Sequence, residues 1–220
     1  MYLSVIDLGR VSFKEAFWRQ IQLHREILED DACRSHTIIL CEHPHTITTG
    51  KKVNAENLLD YKFIKDNNVD FVVGINRGGD ITYHGPGQLM GYLIFDLRKL
   101  NRNLGGFLNK IEDVIIKTIT AFNISTYTKS GFRGIWVNEQ KIASIGIGVD
   151  RWVSLHGFGL NVSTDLSFFD IIKPCGMDIK MTSMKEQLAR QVDINLVKEE
   201  LVRQVCDIFK LESSREHAFV

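Results

Sequence analysis

Apolar and polar positions alternate along the chain with two periods, which predict strands and helices in one mixed protein. Residues 2–8 follow the two-residue period of a strand, and Ser12 and Glu15 have the spacing of a capping box that opens a helix running to about Glu29. Residues 37–41 form a short, nearly continuous apolar run, which is typical of a strand covered on both faces. The first part of the chain therefore favours strand, helix and buried strand in succession.

The same two periods place the remaining elements. Further strands are predicted over residues 69–75, 89–97, 131–137, 141–149 and 152–161, with a hairpin turn at residues 138–140. Helices are predicted over residues 58–67 and 104–122, in a short segment capped by Thr182 or Ser183, and in a final segment whose inner face carries Val197, Leu201, Val205, Ile208 and Phe209. We expect one catalytic domain over residues 1–220, with a core at about 30–190 and a C-terminal helix at about 194–210.

Residues 77–88, with the sequence Arg-Gly-Gly-Asp-Ile-Thr-Tyr-His-Gly-Pro-Gly-Gln, hold more glycine than a packed core requires. Glycine lets the main chain approach a ligand closely, and the arginine, histidine and glutamine of this stretch can reach one. The stretch therefore predicts the floor of a binding site; the alternative is a turn-rich connection between two strands. A dinucleotide-binding fingerprint and a Walker loop both fail, because no helix follows and no Gly-Lys-Ser/Thr ends the stretch.

The segment 42–50 carries His43 and His45 close to Glu42 and Cys41, residue types that can bind a metal. Neighbouring residues on an extended chain point to opposite faces, and a complete ligand set would need a residue from far away. We therefore interpret the segment as a polar loop that enters the site region, and we expect neither a metal nor a cofactor.

Composition narrows the classes of function. The 27 basic and 27 acidic side chains balance, so no overall charge recruits nucleic acid or an anionic membrane. The N-terminus lacks the basic flank and apolar run of a signal peptide, and no apolar run is long enough to span a bilayer, so we expect a cytoplasmic protein. The four cysteines, at positions 33, 41, 175 and 206, are widely scattered and are expected to be free thiols.

One thiol stands out among the four. In Pro174-Cys175-Gly176 the proline fixes the backbone before the thiol and the glycine frees it afterwards, which predicts that Cys175 is presented at a turn. A nearby cation lowers the pKa of a thiol and makes it a nucleophile. The candidate partners are Lys141, which lies on an otherwise small and apolar strand, and the histidines at 84 and 156. The alternative for Lys141 is an edge residue whose amine reaches solvent.

Four blocks of the chain resemble the lipoyl(octanoyl) transferase family. Residues 77–88 resemble its signature, and Gly134-Ile-Trp-Val with Lys141-Ile-Ala-Ser-Ile-Gly resembles its second block. The third and fourth blocks correspond to His156-Gly-Phe-Gly-Leu-Asn-Val and to Pro174-Cys175-Gly176. The resemblance implies the fold of the biotin and lipoate protein ligases, an α/β (α+β) domain with a central mixed β-sheet flanked by helices.

The resemblance also implies a reaction and its residues. Cys175 would be the acyl-accepting nucleophile, and Lys141 would lower its pKa and transfer the proton. The acyl thioester would be bound by Arg77, Gly78, Gly79, Asp80, Ile81, Thr82, Tyr83, His84, Ser144, Ile145, Gly146, Gly157, Phe158 and Gly159. Octanoate would move from acyl carrier protein to a lysine of a lipoyl domain, such as that of a 2-oxoacid dehydrogenase E2 subunit or the glycine cleavage H protein.

The residues taken by themselves agree with these roles. Small residues at 143–148 and 157–159 leave room for a narrow alkyl tunnel, in which each buried methylene contributes about 0.8 kcal/mol. For His84, orienting or proton transfer stands beside a purely structural hydrogen bond. Two other functions remain: an ATP-dependent lipoate or biotin ligase of the same fold, which needs no acyl-accepting thiol, and a non-catalytic acyl-binding module, which needs neither Lys141 nor Cys175.

Overall fold

A computed structural model describes residues 1–30, 35–51, 54–173, 179–213 and 218–219. Its helices are α1 (Phe13–Glu29), α2 (Tyr61–Asp66), α3 (Leu104–Thr120), α4 (Met184–Leu188) and α5 (Ile194–Phe209). Its strands are β1 (Tyr2–Arg10), β2 (Ser35–Glu42), β3 (Thr46–Thr49), β4 (Asp70–Val72), β5 (Ile81–His84), β6 (Gln88–Ile94), β7 (Tyr127–Lys129), β8 (Phe132–Val137), β9 (Gln140–Asp150), β10 (Val153–Asn161), β11 (Glu212–Ser213) and β12 (Ala218–Phe219).

The strands form a large mixed sheet and a small one. The large sheet has the order β11-β1-β2-β6-β10-β9-β8-β7, and β12 also pairs with β1. β1 and β2 run parallel, whereas β2, β6, β10 and β9 pair antiparallel in turn. The small sheet has the order β4-β3-β5. The predicted α/β architecture with a central mixed sheet flanked by helices is confirmed.

The large sheet is covered on both faces, which explains the continuous apolar run in β2. Ile38 and Leu40 belong to the core that the sheet shares with α3 and α5. Ile39 and Cys41 belong to the core under α1 on the opposite face. Since successive side chains of a strand alternate between faces, both sets must be apolar.

Local signals in the sequence account for several boundaries. The Ser12 and Glu15 side chains make both bonds of the predicted capping box at the start of α1. Asn138 and Glu139 adopt φ angles of 45° and 65°, which suits the two-residue turn between β8 and β9. Ser183, not Thr182, caps α4, because its side chain accepts from the Glu186 N–H.

Three predictions were wrong in detail. The segment 42–50 is not a loop throughout, since β3 occupies Thr46–Thr49 and pairs with both β4 and β5. The strand expected at 69–75 shrinks to β4, because it is the edge of the small sheet and Val73 is exposed. α2 begins at Tyr61, later than expected, with Asp60 as its N-cap. Within the described ranges, no helix combines the length and apolar character needed to cross a membrane.

Candidate active site

A cavity of about 760 Å³ lies between the glycine-rich residues 77–88 and the central strands β9 and β10. Its lining includes every described residue that the sequence assigned to substrate binding or catalysis: Arg77, Gly78, Gly79, Asp80, Ile81, Thr82, Tyr83, His84, Lys141, Ser144, Ile145, Gly146, Gly157, Phe158 and Gly159. Cys175 and its neighbours Pro174 and Gly176 lie outside the described residues. Three segments far apart in sequence therefore meet at one cavity, whose volume is typical of a small-molecule site.

The Arg77 guanidinium holds the glycine-rich segment against the small sheet. One terminal nitrogen donates to the Thr48 carbonyl at 2.8 Å, to the Thr48 hydroxyl at 3.0 Å and to the Asp80 carbonyl at 2.9 Å. The Asp80 carboxylate accepts from the Asn54 N–H and the Asn57 amide. Both charged side chains thus shape the wall of the cavity through contacts within the protein.

The glycines of β9 and β10 leave less free space than the sequence suggested. A Cβ at Gly146 would lie 2.9 Å from the Gly78 carbonyl oxygen, and one at Gly148 would overlap the Asn76 carbonyl oxygen. A Cβ at Gly157 would overlap the Gly91 carbonyl oxygen. These glycines mainly permit close approach of other backbone segments, which brings residues 76–78 directly onto the sheet.

Lys141 is buried at the end of the cavity near the turn between β8 and β9, with 6% of its surface exposed. Its ammonium group lies 5.6 Å from the centre of the Trp136 ring. Its side chain crosses Gly134, where a Cβ would overlap the Lys141 Cε and the Ala143 carbonyl oxygen. The alternative of an edge residue that reaches solvent is therefore wrong: the Lys141 side chain is buried at the cavity wall.

Two histidines of the cavity are held neutral. Burial lowers the pKa of His84 to about 3 and that of His156 to about 4. The ring of His156 stacks on Phe17 at 5.5 Å, and neither of its buried nitrogens has a hydrogen-bond partner among the residues that the structure describes. Both nitrogens of His84, in contrast, bond to protein side chains, Thr48 and Gln88.

The histidines of the segment 42–50 bond to protein groups. His43 uses one ring nitrogen on the Val11 carbonyl at 2.7 Å and the other on the Tyr92 hydroxyl at 2.6 Å. His45 bonds to the Tyr83 hydroxyl at 2.7 Å. In the part of the chain that the structure describes, no group of three His, Cys, Asp or Glu side chains is placed to hold a metal ion.

Sequence reasoning missed part of the lining. Apolar and aromatic residues from α1, β6, α3 and β8 also face the cavity: Phe13, Met90, Tyr92, Leu104, Leu108 and Phe132. Arg133 joins them and pairs with Glu112 at 2.9 Å. Only the tertiary packing separates these residues from ordinary core positions, because their periodicity is that of any buried helix face or strand.

Solved structures with the same architecture are protein ligases. Lipoate-protein ligase A bound with ATP matches with a TM-score of 0.73 and 14% identity, covering 98% of this chain and 89% of the ligase. Biotin protein ligase from Aquifex aeolicus matches with a TM-score of 0.54 and 12% identity, covering 96% of this chain and 70% of the ligase. These likenesses define the class of fold.

Closer relatives define the family. The model of the lipoyl protein ligase A/B catalytic domain matches residues 15–206. The octanoyltransferase of Solibacter usitatus is 42% identical over 206 residues, which cover 94% of this chain and 92% of the relative. The octanoyltransferase of Alkaliphilus metalliredigens is 37% identical, covering 96% and 97%. The chain belongs to the lipoyl(octanoyl) transferase family and is an acyltransferase.

Proposed function

We propose that this acyltransferase moves an octanoyl group from acyl carrier protein to a lysine of a lipoyl domain, through a thioester on Cys175. The acceptors would be E2 subunits of 2-oxoacid dehydrogenases and the glycine cleavage H protein, and the setting the cytoplasm. The convergence of residues 77–84, 144–146 and 157–159 with Lys141 on one cavity carries the proposal. One domain over residues 1–220 would supply all of these groups.

Two exchanges of bonds make up the reaction. The Cys175 thiolate attacks the thioester carbon of the donor, so one carbon–sulfur bond forms and another breaks, and the carrier protein leaves as a thiol after it takes a proton from the Lys141 ammonium group. The acceptor amine then attacks the acyl-enzyme, a carbon–nitrogen bond forms, and the cysteine sulfur leaves. No oxidation occurs, and the thioester supplies the driving force without ATP.

Lys141 supplies the charge that this scheme needs. A buried ammonium group favours a thiolate beside it, and an amine in the same place can accept the proton that the attacking lysine of the acceptor loses. The two cysteines that the structure describes, Cys41 and Cys206, suit the nucleophile poorly. Burial raises the pKa of Cys41 strongly and that of Cys206 to a lesser degree, so both remain thiols at neutral pH.

Incubation with octanoyl acyl carrier protein in the absence of ATP tests the proposal. We expect intact mass to rise by one octanoyl group, and we expect the Cys175→Ala variant to gain none. Cys206→Ala is the matched control, because it removes a thiol on α5 that does not line the cavity, and it should acylate normally. A requirement for ATP, or an adduct that survives in Cys175→Ala, would contradict the mechanism.

A further inference from the structure

A chain of hydrogen bonds through mostly buried residues links the substrate-binding segment to the strand that carries Lys141. Its members are Arg77, Thr48, His84, Gln88, Asn161 and Thr182, and we call them the Arg77–Thr182 relay. Thr48, His84, Gln88, Asn161 and Thr182 are all buried. Consecutive members lie 3.0, 3.1, 2.9, 2.9 and 3.0 Å apart. The contacts join the block 77–88 to Thr48, Asn161 and Thr182, which lie far from it in sequence.

The direction of every bond in the relay follows from its end at Thr182. The Thr182 carbonyl oxygen can only accept, so the Asn161 side chain must turn its Nδ2 towards it. The Asn161 Oδ1 then faces Gln88, which must present its Nε2. The same Gln88 nitrogen also lies 3.3 Å from the Tyr83 carbonyl oxygen, a second acceptor that requires the same orientation.

This orientation fixes the tautomer of His84. Because Gln88 has turned its nitrogen to Asn161, its Oε1 faces His84, and His84 must carry its proton on Nδ1. The ring is neutral because burial lowers its pKa, so Nε2 can only accept. The Thr48 hydroxyl must therefore donate to Nε2 while it accepts from the Arg77 guanidinium. All donors point the same way, from Arg77 to Thr182.

The far end of the relay is bonded to the backbone of Lys141. The Thr182 N–H donates to the Lys141 carbonyl at 3.0 Å, and the Lys141 N–H donates to the Lys180 carbonyl at 2.9 Å. Residues 180–182 therefore lie beside Lys141 like an added strand, and Asn161 holds them there from the other side. A break at any member would interrupt the hydrogen-bonded connection between this segment and the wall that Arg77 organises, although the backbone bonds to Lys141 remain.

From this geometry we infer that His84, Gln88 and Asn161 are positioning residues for acyl transfer, and that His84 does not transfer a proton. They set the position of Lys141 relative to the segment that binds the acyl thioester. The inference rests on the proposed function for its kinetic consequence, but the tautomer and direction of the relay do not depend on that function.

Nitrogen NMR of the histidine rings in the intact protein tests the relay directly. We expect His84, assigned by the loss of its signals in His84→Gln, to show a proton on Nδ1 and none on Nε2, and to keep this pattern throughout the pH range in which the protein stays folded. A ring protonated on Nε2, or one that titrates near the ordinary histidine pKa, would overturn the inference whether or not the protein transfers octanoate.

A double-mutant cycle tests the positioning role. Gln88→Met and Asn161→Leu each remove the hydrogen bonds at similar volume, and each should slow single-turnover acylation at saturating donor by roughly ten- to a hundred-fold. The double variant should be no slower than the worse single variant, because one break already interrupts the connection between the two walls. Gln204→Met, the same change at a buried glutamine of α5, should acylate at the normal rate.

The split between binding and rate separates positioning from a general loss of structure. We expect the donor concentration that gives half the maximal rate to stay within about threefold of its normal value in Gln88→Met, while the maximal rate falls. Fully additive losses in the double variant, or a change in apparent affinity alone, would refute a relay that acts as one unit. If Cys175 forms no adduct at all, the proposed function fails while the NMR result still decides the tautomer.

Discussion

At the scale of single residues, the position of the Lys141 side chain depends on a glycine that has no side chain of its own. Lys141 can lie along the wall of the cavity only because Gly134 lacks a Cβ. Gly134 also has a φ of +125°, which favours glycine. Gly134 therefore makes room for the Lys141 side chain, a role that neither its position in a strand nor its neighbours in sequence would predict.

We therefore expect Gly134→Ala to displace the Lys141 ammonium group. The new methyl group would overlap both the Lys141 side chain and a backbone carbonyl, so we expect a loss of about 1–3 kcal/mol in the free energy of unfolding and a slower acylation at neutral pH. Urea unfolding and single-turnover acylation measure the two effects.

The Gly9→Ala variant is a control that introduces backbone strain without displacing the Lys141 side chain. Gly9 has a φ of +60° and open space around its Cβ position, and it does not line the cavity. Its alanine variant should lose stability through the backbone alone and acylate normally. If Gly134→Ala also acylated normally, Lys141 would not depend on the gap that Gly134 leaves.

At the scale of elements, the sequence predicted those helix ends and turns that depend only on neighbouring residues. The capping box of α1 and the turn between β8 and β9 follow from neighbouring residues, and both are confirmed. β3 was missed because its threonines look polar, although they are buried between β4 and β5. The bond between Gln88 and Asn161 joins residues 73 positions apart, a relation that only the sheet order creates.

A buried ion pair ties the last helix to the first strand. Lys198 on α5 lies 2.7 Å from the Asp7 carboxylate on β1, and both side chains are largely shielded from water. Lys198→Met would leave the Asp7 charge buried without its partner, so we expect the free energy of unfolding to fall by about 3–5 kcal/mol. Urea unfolding of the variant measures this loss.

The double variant Asp7→Asn, Lys198→Met tests the cause. Removing both charges should recover a large part of the loss, because the penalty of the single variant comes from an unpaired charge and not from lost packing. Equal stability of the single and double variants would show that the lysine stem, and not its charge, joins α5 to the sheet.

At the scale of the whole molecule, the protein buries several histidines without charge. Burial lowers the pKa of His84 to about 3 and those of His36 and His156 to about 4. In the unfolded chain each of these rings would bind a proton near its ordinary pKa of about 6.5. The unfolded state therefore binds more protons than the folded state whenever the pH lies below that value.

The free energy of unfolding should consequently fall as the pH drops from about 6.5 towards 4, and it should be flat with respect to these groups above that range. Each histidine contributes up to about 1.4 kcal/mol per pH unit in this window. The ordinary pKa values of carboxylates, about 3.9 to 4.3, lie below this window, so urea unfolding between pH 6.5 and 4.5 reports mainly on the histidines.

His36→Asn identifies one contributor to that slope. The His36 ring stacks on Phe95 and its Nδ1 accepts from the Asp96 N–H at 3.3 Å, a bond that the asparagine carbonyl can replace. The variant should lose some stability at every pH because the stacking is lost. Between pH 6.5 and 4.5 its free energy of unfolding should depend less steeply on pH, because unfolding takes up about one proton fewer. An unchanged slope would mean that His36 titrates alike in the folded and unfolded chain, and that the acid sensitivity of the molecule comes from the histidines around the cavity.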